Sequence, residues 1–256
     1  MDASSIPTPA TDNPPPEPSS LTDRLTNVIA APGEAFGQLK NMPVRTSNWI
    51  VPLILSCIAT VIYICVAFSQ PAILQGVNQQ RIDGMQKRVA AQKMTQAQAD
   101  QANAWTEAHM TATVMKILGA GGGVLAEAAG LFLMGLGVWL FSKWFTSARL
   151  GYMKVVEVCG LALIIDVPQK IIRILLVSWK QNLLATASPT LFLDNPSTAS
   201  KHDLFLSFID VVDIWWLAVL SLGLSKVASI SYRAAAFICF GVWFGFRIIS
   251  TLLGSS

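Results

Sequence analysis

Charge is what this sequence has least of. Asp, Glu, Lys and Arg make up 13% of its 256 residues, against about 25% in a typical soluble domain, and the mean hydropathy is +0.51. A chain this apolar cannot face water on all sides, which excludes an ordinary soluble domain. The net charge is only +3 and no dense basic run occurs, so nucleic acid is not an expected partner. The two histidines, His109 and His202, lie in different polar segments with no cysteine or carboxylate at ligand spacing, and no metal site is expected. The four cysteines, Cys57, Cys65, Cys159 and Cys239, each sit in an apolar run without a C-x-x-C, as small packing residues do. No G-x-S-x-G or H-E-x-x-H is present. Asp166 in "IIDVP" and Asp210 in "FIDVV" lack the glycine-flanked settings of an intramembrane aspartic protease. The expectation is therefore a protein that is not an enzyme and uses no cofactor. A cleavable signal peptide is not expected either, because the first apolar run begins near Trp49.

What is abundant is apolar length. Residues 1–20 hold six prolines and almost nothing apolar, and read as a disordered tail. Residues 21–47 read as two short amphipathic helices. Ser20 and Asp23 have the spacing of a capping box, Leu25 and Ile29 share one face, and Pro32 restarts the chain with Phe36 and Leu39 on one side. Leu25, Ile29, Phe36 and Leu39 are the candidate membrane-surface contacts, the alternative being the underside of the protein's own bundle. Five apolar runs follow within 48–253, at about 49–68, 117–141, 155–179, 204–225 and 230–253. Each approaches the ~20 residues that a helix needs to cross ~30 Å of hydrocarbon. The polar stretch 70–116 reads as a helical hairpin outside the bilayer, with Thr95 and Gln98 as a second capping box. The fold expected is all-α: a polytopic membrane bundle of five transmembrane helices.

Charges inside such spans are costly and mark a functional site by default. The third run contains Asp166, Lys170 and Arg173, the fourth Asp210 and Asp213, the fifth Arg247, and the second Glu127. Asp166 and Lys170 are four apart and can pair on one helix face. The first six sum to zero charge, so a polar network between spans three, four and five is expected. The alternative is that the three cations snorkel to the interface. The loops at 143–154 and 226–233 carry basic residues and no acid, which favours a cytoplasmic N-terminus and an outer C-terminus.

The segment "RLTNVIAAPGEAFGQLKNMPVRTSNWIVPLIL" resembles the start of bacterial members of the Yip family, in which a Pro-Gly-Glu turn, an aromatic and a tryptophan lead into the first span. "ARLGYMKVVEVCGLALIIDVP" resembles the start of that family's third span. The resemblance covers roughly 21–253. It implies a five-span fold with the N-terminus in the cytoplasm, located in the cell membrane (the bacterial cytoplasmic membrane), and no catalytic residues. The Asp-Leu-Tyr-Gly-Pro segment of the eukaryotic branch does not occur here.

Two functions of different class fit. One is a membrane adaptor or scaffold in membrane organisation or trafficking-like processes, with the lipid bilayer, membrane or cytoplasmic proteins, or a second copy of the chain as partners. The other is a small transporter or channel using the intramembrane charges; against it, internal repeats and paired broken helices are absent from the sequence.

Overall fold

The computed structural model describes residues 20–146, 150–194, 196–197 and 200–253. The proline-rich tail expected over 1–20 lies outside the described residues apart from Ser20.

Every regular element among the described residues is helical. Ser20 caps α1 (Leu21–Ala30): its hydroxyl accepts the Asp23 N–H while the Asp23 carboxylate accepts the Ser20 N–H, both at 3.1 Å. Pro32 occupies the first turn of α2 (Pro32–Leu39), where its missing N–H costs nothing. The apolar α3 (Ser47–Ala67) is followed by α4 (Pro71–Ala90) and α5 (Gln96–His109), the latter closed by the reciprocal Thr95–Gln98 box. The 34-residue α6 (Ala112–Phe145) runs back along α3. Next come α7 (Tyr152–Ala162), one tight turn at Leu163–Ile165, and α8 (Asp166–Lys180). The chain then forms a loop with a short turn at Pro189–Phe192, α9 (Lys201–Ser207), α10 (Val211–Ala228) and α11 (Tyr232–Leu253).

Four helices are long and apolar enough to cross a membrane: Ser47–Ala67, Ala112–Phe145, Val211–Ala228 and Tyr232–Thr251. The uninterrupted third span expected over 155–179 is not one of them. Pro168 has no N–H for the Ile164 carbonyl and crowds the preceding turn. The helix tightens at Leu163–Ile165 and restarts at Asp166, giving pieces of 11 and 15 residues. The fourth span begins at Val211 rather than near 204, because the Asp210 carboxylate turns back to accept the Val212 N–H at 2.8 Å and caps the helix there.

Neighbouring long elements alternate in direction. Along α3 and α6, Trp49 meets Phe132 and Ile64 meets Gly119. Along α6 and α7, the Trp139 indole donates to the Leu150 carbonyl and Tyr152 donates to the Phe132 carbonyl. Phe145 packs on Phe237 of α11, and Asp213 of α10 pairs with Arg247 of α11. At the centre stands α7, buried without a gap from Lys154 to Ala162. It approaches α3 so closely that a Cβ on Gly160 would collide with the Trp49 backbone.

The two N-terminal helices pack into this core. Phe36 and Leu39 are 0% exposed, and the Phe36 ring lies over Gly223 of α10, where a Cβ would come within 2.9 Å of it. Both residues therefore face the bundle. Their apolar face finds a groove between α7 and α10 that exists only in the folded bundle. Leu25 is half-buried against the same core and Ile29 is 42% exposed. A smaller cluster of Ala67, Ile73, Val177 and Ala185 ties the start of α4 to α3 and α8.

Candidate functional site

Polar side chains gather at two places in the bundle. The first lies where the chain enters α3. Glu157 is 0% exposed. Its Oε1 accepts from Asn48 Nδ2 at 2.6 Å and from the Arg45 backbone N–H at 2.9 Å, and its Oε2 pairs with Lys154 Nζ at 2.9 Å. Lys154 also donates to the Met42 carbonyl at 2.9 Å. Each buried charge thus has a partner, as burial demands. The product is a clasp that fixes the 42–48 segment on α7. Nearby, burial first and the Arg45 charge second pull the buried Arg24 guanidinium below the usual arginine range, against the pull of Glu157.

The second place is the level of the helix break. Asp166 opens α8, and Lys170 stands one turn on, with its Nζ 3.1 Å from Asp166 Oδ1 and 2.8 Å from Glu127 Oε1 of α6. From α3, Ser56 donates to Asp166 Oδ2 at 2.5 Å and Thr60 donates to Glu127 Oε1 at 3.0 Å. Three helices thus converge on one lysine between two carboxylates. Beside it, Gln169 of α8 donates to Asp213 Oδ1 at 2.7 Å, and Arg247 of α11 donates to Asp213 Oδ2 at 2.9 Å. Both groups border one cavity of about 670 Å³ between α6, α8, α10 and α11, whose remaining wall includes Leu131, Met134, Trp216 and Trp243.

Of the six residues singled out from the sequence, the fold joins Asp166 to Lys170 and Asp213 to Arg247. Asp210 is spent on capping α10. Arg173 has no carboxylate partner among the described ion pairs; its guanidinium lies 6.0 Å from the Tyr63 ring centroid. The pattern of charges picked out Glu127 but not its bond to Lys170. It passed over Ser56, Thr60, Gln169 and Glu157. Ser56 and Thr60 do carry a signal: two hydroxyls four residues apart on one face of an otherwise apolar span. Among the described residues no group of three or more His, Cys, Asp or Glu has the arrangement to hold a metal ion.

The Yip1 domain matches residues 26–253. The chain belongs to the Yip1 family. No curated protein and no solved structure matches it. Membership and the apolar helices together make this a multi-pass membrane protein. The Yip1 match runs through α2 and the clasp, the four charge-bearing helices α6, α8, α10 and α11, and the cavity between them. The buried α1–α2 segment therefore belongs, from residue 26 onward, to the domain itself.

Proposed function

We propose that this Yip1 protein is a membrane-embedded scaffold that organises its bilayer and recruits protein partners through α4 and α5. One observation carries the reading: these two helices have surface to spare. Only Ile73 of α4 and Ala99 of α5 are buried, and Trp105, stacked on His109 at 4.8 Å, is 58% exposed. Tryptophan is over-represented among the residues that dominate protein interfaces. In this reading the helices form a hairpin outside the bilayer. The chain crosses five times, with α7 and α8 together as one broken crossing. The N-terminus is in the cytoplasm and the protein resides in the cell membrane. The alternating directions of α3, α6, α7–α8, α10 and α11 support five crossings, and the acid-free basic loop at 226–233 supports the orientation. A photo-crosslinking residue in place of Trp105, in native membranes, is expected to yield one discrete protein adduct; the same residue in place of the exposed Leu125 should yield lipid adducts only. Lipid adducts alone at 105 would refute recruitment through this surface.

The charge-bordered cavity favours a second reading, a small transporter or channel with Glu127, Asp166, Lys170, Asp213 and Arg247 along its path. Liposomes containing the pure protein separate the two. Solute flux that depends on Lys170 supports transport, and tight vesicles support the scaffold.

A further inference from the structure

The cavity between α6, α8, α10 and α11 has a mouth and a floor of different chemistry. Ala126, Ala129, Gly130 and Leu133 fall on one face of α6, and Phe246 lies opposite on α11; all five are exposed and line the opening. Both helices are long and apolar enough to cross a membrane, so outward-facing side chains midway along them meet acyl chains and not water. The floor holds Glu127, Asp166, Gln169, Asp213 and Arg247. Lys170 is shared by Glu127 and Asp166, while Arg247 is matched by Asp213. Over these five ionisable side chains the acids outnumber the bases by one. Arg247 reaches Asp213 through Nη2, and its side chain is 36% exposed, which leaves its fork with donors to spare. Trp216 lines the same cavity, and its buried indole N–H has no acceptor.

We infer that this cavity is a lateral binding site for a phospholipid whose head carries a primary ammonium and a phosphate, the phosphatidylethanolamine class. The ammonium supplies the missing positive charge and donates its N–H groups to the Glu127 and Asp166 carboxylates. The phosphate meets the spare donors of Arg247. An acyl chain leaves through the apolar mouth between α6 and α11. The volume of about 670 Å³ is that of an ordinary small-molecule site and takes the head with the first part of a chain. A choline head has no N–H to donate. An anionic head without an amine adds charge of the wrong sign to a floor that is already negative.

The test uses the full-length chain, delipidated and returned to nanodiscs of phosphatidylcholine doped with equal small amounts of phosphatidylethanolamine and phosphatidylglycerol. Lipids retained on the protein are read by native mass spectrometry. Wild type should retain the ethanolamine lipid over the choline lipid about tenfold, the size of one charge-assisted hydrogen bond. Glu127→Gln should bring the ratio close to one. Ala129→Trp fills the mouth without touching a charge and should do the same while unfolding at the wild-type temperature. Should Glu127→Gln fail to accumulate, wild type and Ala129→Trp still decide. Equal retention of the two zwitterionic lipids by wild type overturns the inference, as does preference for the glycerol lipid. An ethanolamine preference that survives Ala129→Trp also overturns it.

Discussion

Lys170 is the residue on which most depends. It neutralises two carboxylates drawn from different helices, so removing it strands both in a setting with little water. Lys170→Met is expected to destabilise the protein by about 3–5 kcal/mol, the cost of breaking a buried pair. Glu127→Gln should cost clearly less, since Lys170 keeps Asp166 and Thr60 keeps a hydrogen-bonding partner. Thermal unfolding in detergent ranks the two; equal losses would mean that water reaches the cluster freely. Asp23 offers a contrast at the surface. The Ser20 hydroxyl and N–H bonds hold its carboxyl below the usual carboxylate range. A depressed folded-state pKa means that the cap contributes fully above about pH 3.9 and weakens as pH falls through the lower folded value. The Ser20 amide resonance should therefore be flat from pH 7 to 5 and move only below about 3.9. A midpoint at or above that value would contradict the capping geometry.

Among the elements, α7 shows how a short helix can hold a membrane bundle together. Its Gly160 lets the Trp49 backbone of α3 come into contact, and its Glu157 and Lys154 bind the chain at the entry to α3. Gly160→Ala forces two backbones apart, whereas Gly223→Ala meets side-chain atoms of Phe36 and Val158 at 2.9 Å, which can yield. Overpacking costs about 1–3 kcal/mol, and Gly160→Ala is expected at the upper end of that range with Gly223→Ala below it. Thermal unfolding of the pair checks the order. For α2, Phe36→Ala should cost about 3–5 kcal/mol, as a fully buried aromatic does. Phe36→Ala should also leave residues 20–45 open to added protease. A segment that merely lay on the bilayer would lose neither stability nor protection.

At the scale of the whole molecule the question is how many times the chain crosses. Four helices have the length and apolar composition for it, and with four crossings both termini share a side. The direction of α7–α8, opposite to α6 and α10, argues for a fifth crossing made of two pieces. A broken crossing is tolerated where its loosened backbone is buried in protein, and Ile164 and Ile165 at the break are buried. A reporter fused after Ser256 is expected to behave as exterior while one fused ahead of residue 20 behaves as cytoplasmic. Two cytoplasmic reporters would mean that α7–α8 turns back without crossing.

Composition and local pattern alone determined that the chain lives in lipid, that it is helical, and where several helices begin. Those properties depend on residues adjacent in sequence: apolar length, the Ser20–Asp23 and Thr95–Gln98 boxes, and the four-residue step from Asp166 to Lys170. The break at Pro168 was also present in the sequence. It is masked when hydropathy is averaged over a window, because the flanking isoleucines and leucines outweigh one proline. What only the tertiary structure decided is which partner each exposed-or-buried choice finds. Phe36 and Leu39 form an apolar stripe that suits a bilayer or a protein groove equally, and the groove between α7 and α10 takes it. Lys170 reaches Glu127 across 43 residues of sequence, a meeting that depends on how α6 and α8 are packed. The same packing leaves Arg173 beside an aromatic ring instead of an acid. A charge in an apolar run makes a partner necessary, but the run itself carries no information about which neighbouring helix will supply one.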